Sequence, residues 1–271
     1  MAGGAAVSID PDLREGVIAV AQAAAADILT VYAGDFQAER KADASPLTAA
    51  DLAAHRRIVA GLAALTPDIP VLSEESAAGC FEARRAWRRF WLVDPLDGTR
   101  EFLKRNGEFT VNIALVVEGI ATFGVIQQPV TGLVWHGAPG AGAFRREHAR
   151  DCAIHTRCPA AAPLVIAASR SHRDARTEAV IARFPGAEVV GLGSSLKFCR
   201  IAEGMLDLYP RFGPTSEWDT AAGQAILEAA GGMVVDARGR PFRYNQRATV
   251  LNGDFIACGD PALLDDLLLK S

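Results

Sequence analysis

Apolar positions near the start of the chain recur every three to four residues. Leu13, Val17, Val20, Ala24 and Ile28 predict an amphipathic helix over 11–31, stopped by Gly34. Thr48-Ala49-Ala50-Asp51 sets a hydroxyl three residues before an acid, the spacing of a capping box, and Leu52, Ile58, Val59, Leu62 and Leu65 carry a second helix to Pro67. Short apolar runs over 69–72, 90–93, 111–117 and 122–126, separated by turn residues, predict strands. Beyond residue 163 the pattern alternates: strand 164–168, helix 177–183, strand 188–190, and helix 195–203 closed by Gly204. A helix over 220–230 ends at Gly231-Gly232, and strands at 233–236 and 255–257 and a short leucine-rich helix follow. The Pro/Gly/Ala-rich stretch 138–163 is the expected boundary between an N-terminal α+β domain, 1–150, and a C-terminal α/β domain, 151–271.

Composition narrows the function classes. A chain of 271 residues, half of them apolar, buries a sizeable core. Charged residues make up 22% of it and nearly balance at net −4, so no basic field for nucleic acid is expected, while small anionic ligands stay open. The clusters Arg84/Arg85/Arg88/Arg89 and Arg100/Lys104/Arg105 read first as solvated faces. The N-terminus has no basic stretch, and Gln22 and Asp27 interrupt its alanine-rich segment, so neither a signal peptide nor a transmembrane segment is expected. The expected location is cytoplasmic, with peripheral contact to an inner membrane still compatible. Cys80, Cys152, Cys158, Cys199 and Cys258 form no C-x-x-C pair, which suits a reducing compartment and argues against zinc.

The segment Trp91-Leu92-Val93-Asp94-Pro95-Leu96-Asp97-Gly98-Thr99 runs an apolar strand straight into two acids. Pro95 fixes the chain direction and Gly98 permits close backbone approach, so both carboxylates can converge on one small site. Two unpaired anions there repel. A hard divalent cation resolves the conflict, because Mg²⁺ accepts carboxylate oxygens and keeps positions for water and phosphate. A turn that merely reverses the chain at Asp97-Gly98 leaves Asp94 and Thr99 unexplained. Glu74-Glu75 follows another strand end, and Asp219 is read as the N-cap of the helix over 220–230, where metal and phosphate are both favoured. There is no G-x-S-x-G elbow and no Cys/His pair placed as nucleophile and base. Gly191-Leu192-Gly193-Ser194-Ser195 misses the dinucleotide-binding spacing and reads as a helix start.

Taken in order, Glu74-Glu75, then Asp94-Pro95-Leu96-Asp97-Gly98-Thr99, then Trp218-Asp219 resemble the pattern of the inositol monophosphatase superfamily, with agreement from Asp43-Ala44-Ser45-Pro46 to Ala222. The resemblance implies an α/β (α+β) fold, the layered αβαβα sandwich of the inositol monophosphatase and fructose-1,6-bisphosphatase type. The segments 72–76, 101–112, 193–199 and 209–215 look like its 3'(2'),5'-bisphosphate nucleotidase branch. That branch implies removal of the 3'-phosphate of adenosine 3',5'-bisphosphate to give AMP, clearing a by-product of sulfate assimilation.

Position by position, the resemblance implies that Glu74, Asp94, Asp97, Asp219 and the carbonyl of Leu96 bind two or three Mg²⁺ ions, that all of these but Asp94 also contact the substrate, and that lithium inhibits. Gly98 and Thr99 then hold the phosphate, Asp51 and Thr99 orient the attacking water, and Glu74 assists its deprotonation. Ser194 and Lys197 approach the nucleoside, and Arg100 stands where many relatives carry lysine, which keeps the charge and changes the hydrogen-bond fork. The expected partner is a small-molecule nucleotide, and a homodimer is compatible with the chain. Alternatives are a phosphatase of the same superfamily acting on inositol monophosphate, adenosine 3'-phosphate 5'-phosphosulfate or a sugar bisphosphate, and a catalytically silent nucleotide-binding protein. The last predicts loss of a ligand acid, and all four acids are present.

Overall fold

In the computed structural model, which describes residues 9–34, 39–40, 46–47, 49–76, 81–168 and 174–268, the first apolar stripe becomes α1 (Pro11–Ala33). Asp10 caps it, accepting from the amides of Asp12 (2.9 Å) and Leu13 (3.1 Å), and Gly34 ends it. By length and apolarity alone α1 is able to cross a membrane. Its apolar face is spent otherwise: Val17, Ile18, Ala21, Ala24 and Ile28 are buried in a core shared with a second helix and a sheet. The two-residue strands β1 (Glu39–Arg40) and β2 (Pro46–Leu47) pair before α2 (Ala49–Leu65). Thr48 and Asp43 to Ser45 lie outside the described residues, as do Cys80 and the hydroxyl half of the expected capping box.

β3 (Val71–Ser73), the short α3 (Phe81–Arg84), β4 (Arg89–Asp97), α4 (Thr99–Leu103), β5 (Thr110–Val117), β6 (Ile120–Gln127), β7 (Val134–Ala138), β8 (Gly142–Glu147) and β9 (Arg150–Ile154) follow. Their strands form one seven-stranded sheet in chain order, parallel only between β3 and β4. β8 and β9 fall inside the stretch 138–163 that was expected to divide the halves. Gly140 and Gly142 take positive φ at the hairpin turn there, and the strands after it are largely polar, β8 half-buried and β9 exposed, which hides them from an apolar-run criterion.

The chain continues with β10 (Val165–Ala168), α5 (Ala175–Ile181), β11 (Glu188–Gly191), α6 (Leu196–Ala202), β12 (Leu208–Arg211), α7 (Glu217–Ala229), β13 (Met233–Asp236), β14 (Phe255–Cys258) and α8 (Leu263–Leu268). Its five strands form a second sheet, ordered β11-β10-β12-β14-β13.

Strand periodicity explains the layering. Trp91, Val93, Val111, Ile113 and Leu115 point into the core beneath α1 and α2, whereas Phe90, Leu92, Ala114 and Val116 point into a core shared with α6 and α7. Ile166, Leu208, Ile256 and Cys258 pack outward against Leu264 and Leu267 of α8 and against Val180 and Ile181 of α5. The order is therefore helices, sheet, helices, sheet, helices: the αβαβα sandwich.

Candidate active site

A β-strand ordinarily sends residues three apart to opposite faces. β4 breaks that rule where the chemistry lies. Asp94 pairs with Asn112 and Asp97 with Thr110, so the register shifts between the two acids and a bulge accommodates one extra residue on β4. Asn112 and Thr110 are two apart on β5 and share a face, which brings Asp94 and Asp97 to the same side, toward the α6–α7 layer. Pro95, with no amide proton, sits at the irregularity. Gly98 then adopts φ 92°, a left-handed conformation that starts α4; a Cβ there would lie 3.2 Å from the Glu108 carbonyl and 3.4 Å from Ser194 Cβ.

The other acids arrive from separate elements. Glu74 follows β3 and its amide donates to Val93 O (3.1 Å), which fixes it beside Asp94. Asp51 sits in the first turn of α2, 1% exposed. Asp219 differs from expectation: helix α7 starts two residues earlier than Asp219, with Ser216 as its N-cap, and Asp219 is the third helical residue of a capping box, accepting from the Ser216 amide (2.8 Å) through Oδ2. Glu74, Asp94, Leu96, Asp97, Gly98, Thr99 and Asp219 line one cleft of about 400 Å³.

The electrostatics of this cleft test whether the residues fit a cation. Asp94 is 2% exposed and its carboxyl is pushed well above the usual range, first by burial, then by Glu74, Asp97, Asp219 and Asp51. Burial and the Asp97 charge raise Asp219 in the same way. Among the described residues no three of these acids close into one compact cluster; Glu74, Asp94, Asp97 and Asp219 ring the cleft, and Asp51 is not part of its lining. The one side chain among the described residues that hydrogen-bonds Leu96 O is the Thr99 hydroxyl, at 3.4 Å. Hard oxygen donors that repel one another, with a backbone carbonyl left weakly bonded among them, fit Mg²⁺.

Asp97 is braced from the opposite layer and from the neighbouring strand. Its Oδ2 accepts from Ser194 Oγ (2.7 Å), the Ser195 amide (2.7 Å) and Asn112 Nδ2 (3.3 Å). Ser194, predicted as a substrate contact, thus holds an acid of the cleft while also lining a side cavity of about 200 Å³ that opens beside it. Lys197, the other predicted contact, lies in the wall of that cavity. Its ammonium donates to Ser194 O (2.7 Å) and Leu192 O (3.1 Å), lies 5.0 Å from the Tyr209 ring centre, and burial lowers its pKa to about 8. Sequence reasoning assigned no role to Arg211, Asn112 or Ser195. Asn112 had a legible signal, an amide inside the apolar run 111–117; Arg211 had only its place at a strand end. Arg211 reaches the cavity with its Nε buried and without a hydrogen-bond partner among the described residues.

Acids gathered by a bulged strand, a strand end and a helix start, on an αβαβα frame, define a metal-dependent phosphatase. The chain belongs to the inositol monophosphatase family, whose model matches residues 12–270. It is 48% identical to the 3'(2'),5'-bisphosphate nucleotidase CysQ of Escherichia coli strain K12 over 90% of this chain and 98% of that protein. It is 33% identical to the protein of the same name from Haemophilus influenzae, over 94% and 95% of the two chains. Among solved structures it resembles CysQ from Bacteroides thetaiotaomicron, a bacterial member of the family, with a TM-score of 0.80 at 41% identity, covering 90% of this chain and 96% of that one.

Proposed function

We propose that this protein removes the 3'-phosphate of adenosine 3',5'-bisphosphate, giving AMP and inorganic phosphate. The side cavity carries the reading. Beside the acid cleft it offers three cations, Arg100, Lys197 and Arg211, and the rings of Phe198, Tyr209 and Phe255. A base with a second phosphate uses both features, whereas inositol monophosphate uses neither. The name of the 48% identical relative agrees.

In this reading Glu74, Asp94, Asp97, Asp219 and the Leu96 carbonyl hold two or three Mg²⁺ ions. When bound, Mg²⁺ supplies charge stabilisation for the transferring phosphoryl group and a nucleophilic water at neutral pH. The chain's own groups do the rest. Glu74 accepts the proton of the attacking water, which Asp51 and Thr99 orient, and the Gly98 and Thr99 region faces the phosphate. Lys197 and Arg211 set the rest of the substrate so that the scissile ester meets the acids. A cytoplasmic location belongs to the same proposal; Cys152, Cys158, Cys199 and Cys258 are free thiols.

The test is phosphate release from adenosine 3',5'-bisphosphate and from inositol 1-phosphate, side by side, with Mg²⁺ and with Mg²⁺ plus Li⁺. Preference for the nucleotide, lost with lithium, is expected. Preference for the inositol ester would overturn the substrate and leave the metal site standing.

A further inference from the structure

The acid cleft and the side cavity meet along a seam shared by Asp97, Gly98, Arg100, Glu101, Arg211 and Asp219. Three of these are acids, and two are committed. Asp97 is held by Ser194, Ser195 and Asn112, and Asp219 by the Ser216 amide. The side chain of Glu101 accepts no hydrogen bond from any described residue. Its neighbour Glu108 is spent on the Gly193 amide (2.8 Å), so Glu101 is the carboxylate left facing the seam.

The loop before α6 is shaped to leave room for it. A Cβ at position 193 would stand 2.7 Å from Glu101 Cγ and 2.9 Å from the Glu108 carbonyl, so any residue other than glycine displaces the Glu101 side chain. Lys197 lies near enough that the Glu101 charge favours its protonated form.

An ionised carboxylate only accepts hydrogen bonds, and it repels phosphate. At the seam it is therefore of no use to the scissile group or to a second phosphate. What it takes is an O–H or N–H donor close to the ester, and in a phosphorylated sugar or polyol the nearest donor is the hydroxyl on the adjoining carbon. We propose that Glu101 is a specificity-determining residue that accepts a hydrogen bond from the substrate hydroxyl vicinal to the scissile phosphate, which in a nucleoside 3'-phosphate is the ribose 2'-hydroxyl. The ribose form rests on the nucleotidase reading; the assignment of Glu101 to a vicinal hydroxyl does not.

The experiment compares kcat/KM for adenosine 3',5'-bisphosphate and for its 2'-deoxy analogue in the wild type, Glu101→Ala and Glu101→Gln. A hydrogen bond to a charged acceptor makes the wild type prefer the ribose form by about tenfold or more. In Glu101→Ala the ratio falls to about one, and Glu101→Gln, which keeps an acceptor oxygen and the side-chain volume, stands between. A wild-type ratio near one, or the full wild-type ratio retained in Glu101→Ala, overturns the assignment. Hydrolysis of inositol 1-phosphate with neither nucleotide touched is a failure of the nucleotidase reading alone. The same ratio is then measured with inositol 1-phosphate and its analogue lacking the hydroxyl next to the phosphate, with the same two outcomes.

Discussion

Helix α7 lies hard against the seven-stranded sheet where it carries Asp219 to the cleft, and at Gly124 on β6 the approach is backbone to backbone. A Cβ at position 124 would sit 3.0 Å from the Cα of Ala222 and closer still to its carbonyl oxygen, against the 3.4 Å at which ordinary contact begins. Both opposing atoms are backbone, so neither can rotate aside. In Gly124→Ala the helix has to retreat by roughly half an ångström at the Cα and further at the oxygen, because the repulsive wall is steep. Overpacking of this kind costs about 1–3 kcal/mol, which for a chain of this size lowers Tm by roughly 2–12 °C. Asp219 is one helical turn from Ala222 and moves with it. Since displacement by ~1 Å can cost on the order of a hundredfold in rate, a loss of about tenfold in kcat/KM is expected, with a higher Mg²⁺ requirement. Thermal melting by circular dichroism and Mg²⁺ titration of phosphate release measure both. Gly34→Ala is the control, because its added methyl meets nothing nearer than 3.8 Å. A Gly124→Ala protein that melts lower yet keeps wild-type kcat/KM and Mg²⁺ response refutes the link between this contact and the site.

Asp94→Asn removes a charge that four neighbouring acids oppose, so it should abolish turnover and yet raise Tm above wild type in excess EDTA; an equal or lower Tm there contradicts the repulsion argument. Lys197, with a pKa near 8, loses its charge as pH rises through that value, and its protonated fraction falls about tenfold between pH 7 and 9. KM for the nucleotide should rise accordingly in the wild type and stay flat in Lys197→Arg, and a flat wild-type profile removes Lys197 from anion binding. Arg146 holds Asp151 down to about 2 from 3.8, so the pair stabilises the fold fully above pH 4, and that contribution is lost as pH falls toward 2. With the Asp151 side chain 27% exposed, solvent screening reduces the contribution to ~1 kcal/mol. Urea titrations of Asp151→Asn and wild type should therefore differ at pH 6 and converge near pH 2.

Most strands and helices that build the buried cores were legible because their apolar positions follow the two periods of regular structure, as in Val111 to Val117 and in α1. The polar, partly exposed β8 and β9 escaped, and so did the buried β7 and β12, short runs interrupted by His136 and Gly137 and by Pro210. The acids were legible for a related reason. An acid at the end of an apolar strand is costly unless something compensates it, so Asp94, Asp97 and Glu74 announce a site without a structure.

What sequence alone determined was therefore the family, the layered class and the set of acids proposed as ligands. Only tertiary structure decided how those acids meet. The bulge that turns Asp94 and Asp97 to one face depends on register with Asn112 and Thr110, and register is a property of two strands, not one. Helix α7, which carries Asp219, meets β6 backbone to backbone at Gly124 and Ala222, and the cavity wall joins Glu101 of α4 to Gly193, Lys197 and Arg211 from the other layer. These are contacts between residues far apart in the chain, set by how closely the layers pack, and local pattern carries no record of that distance.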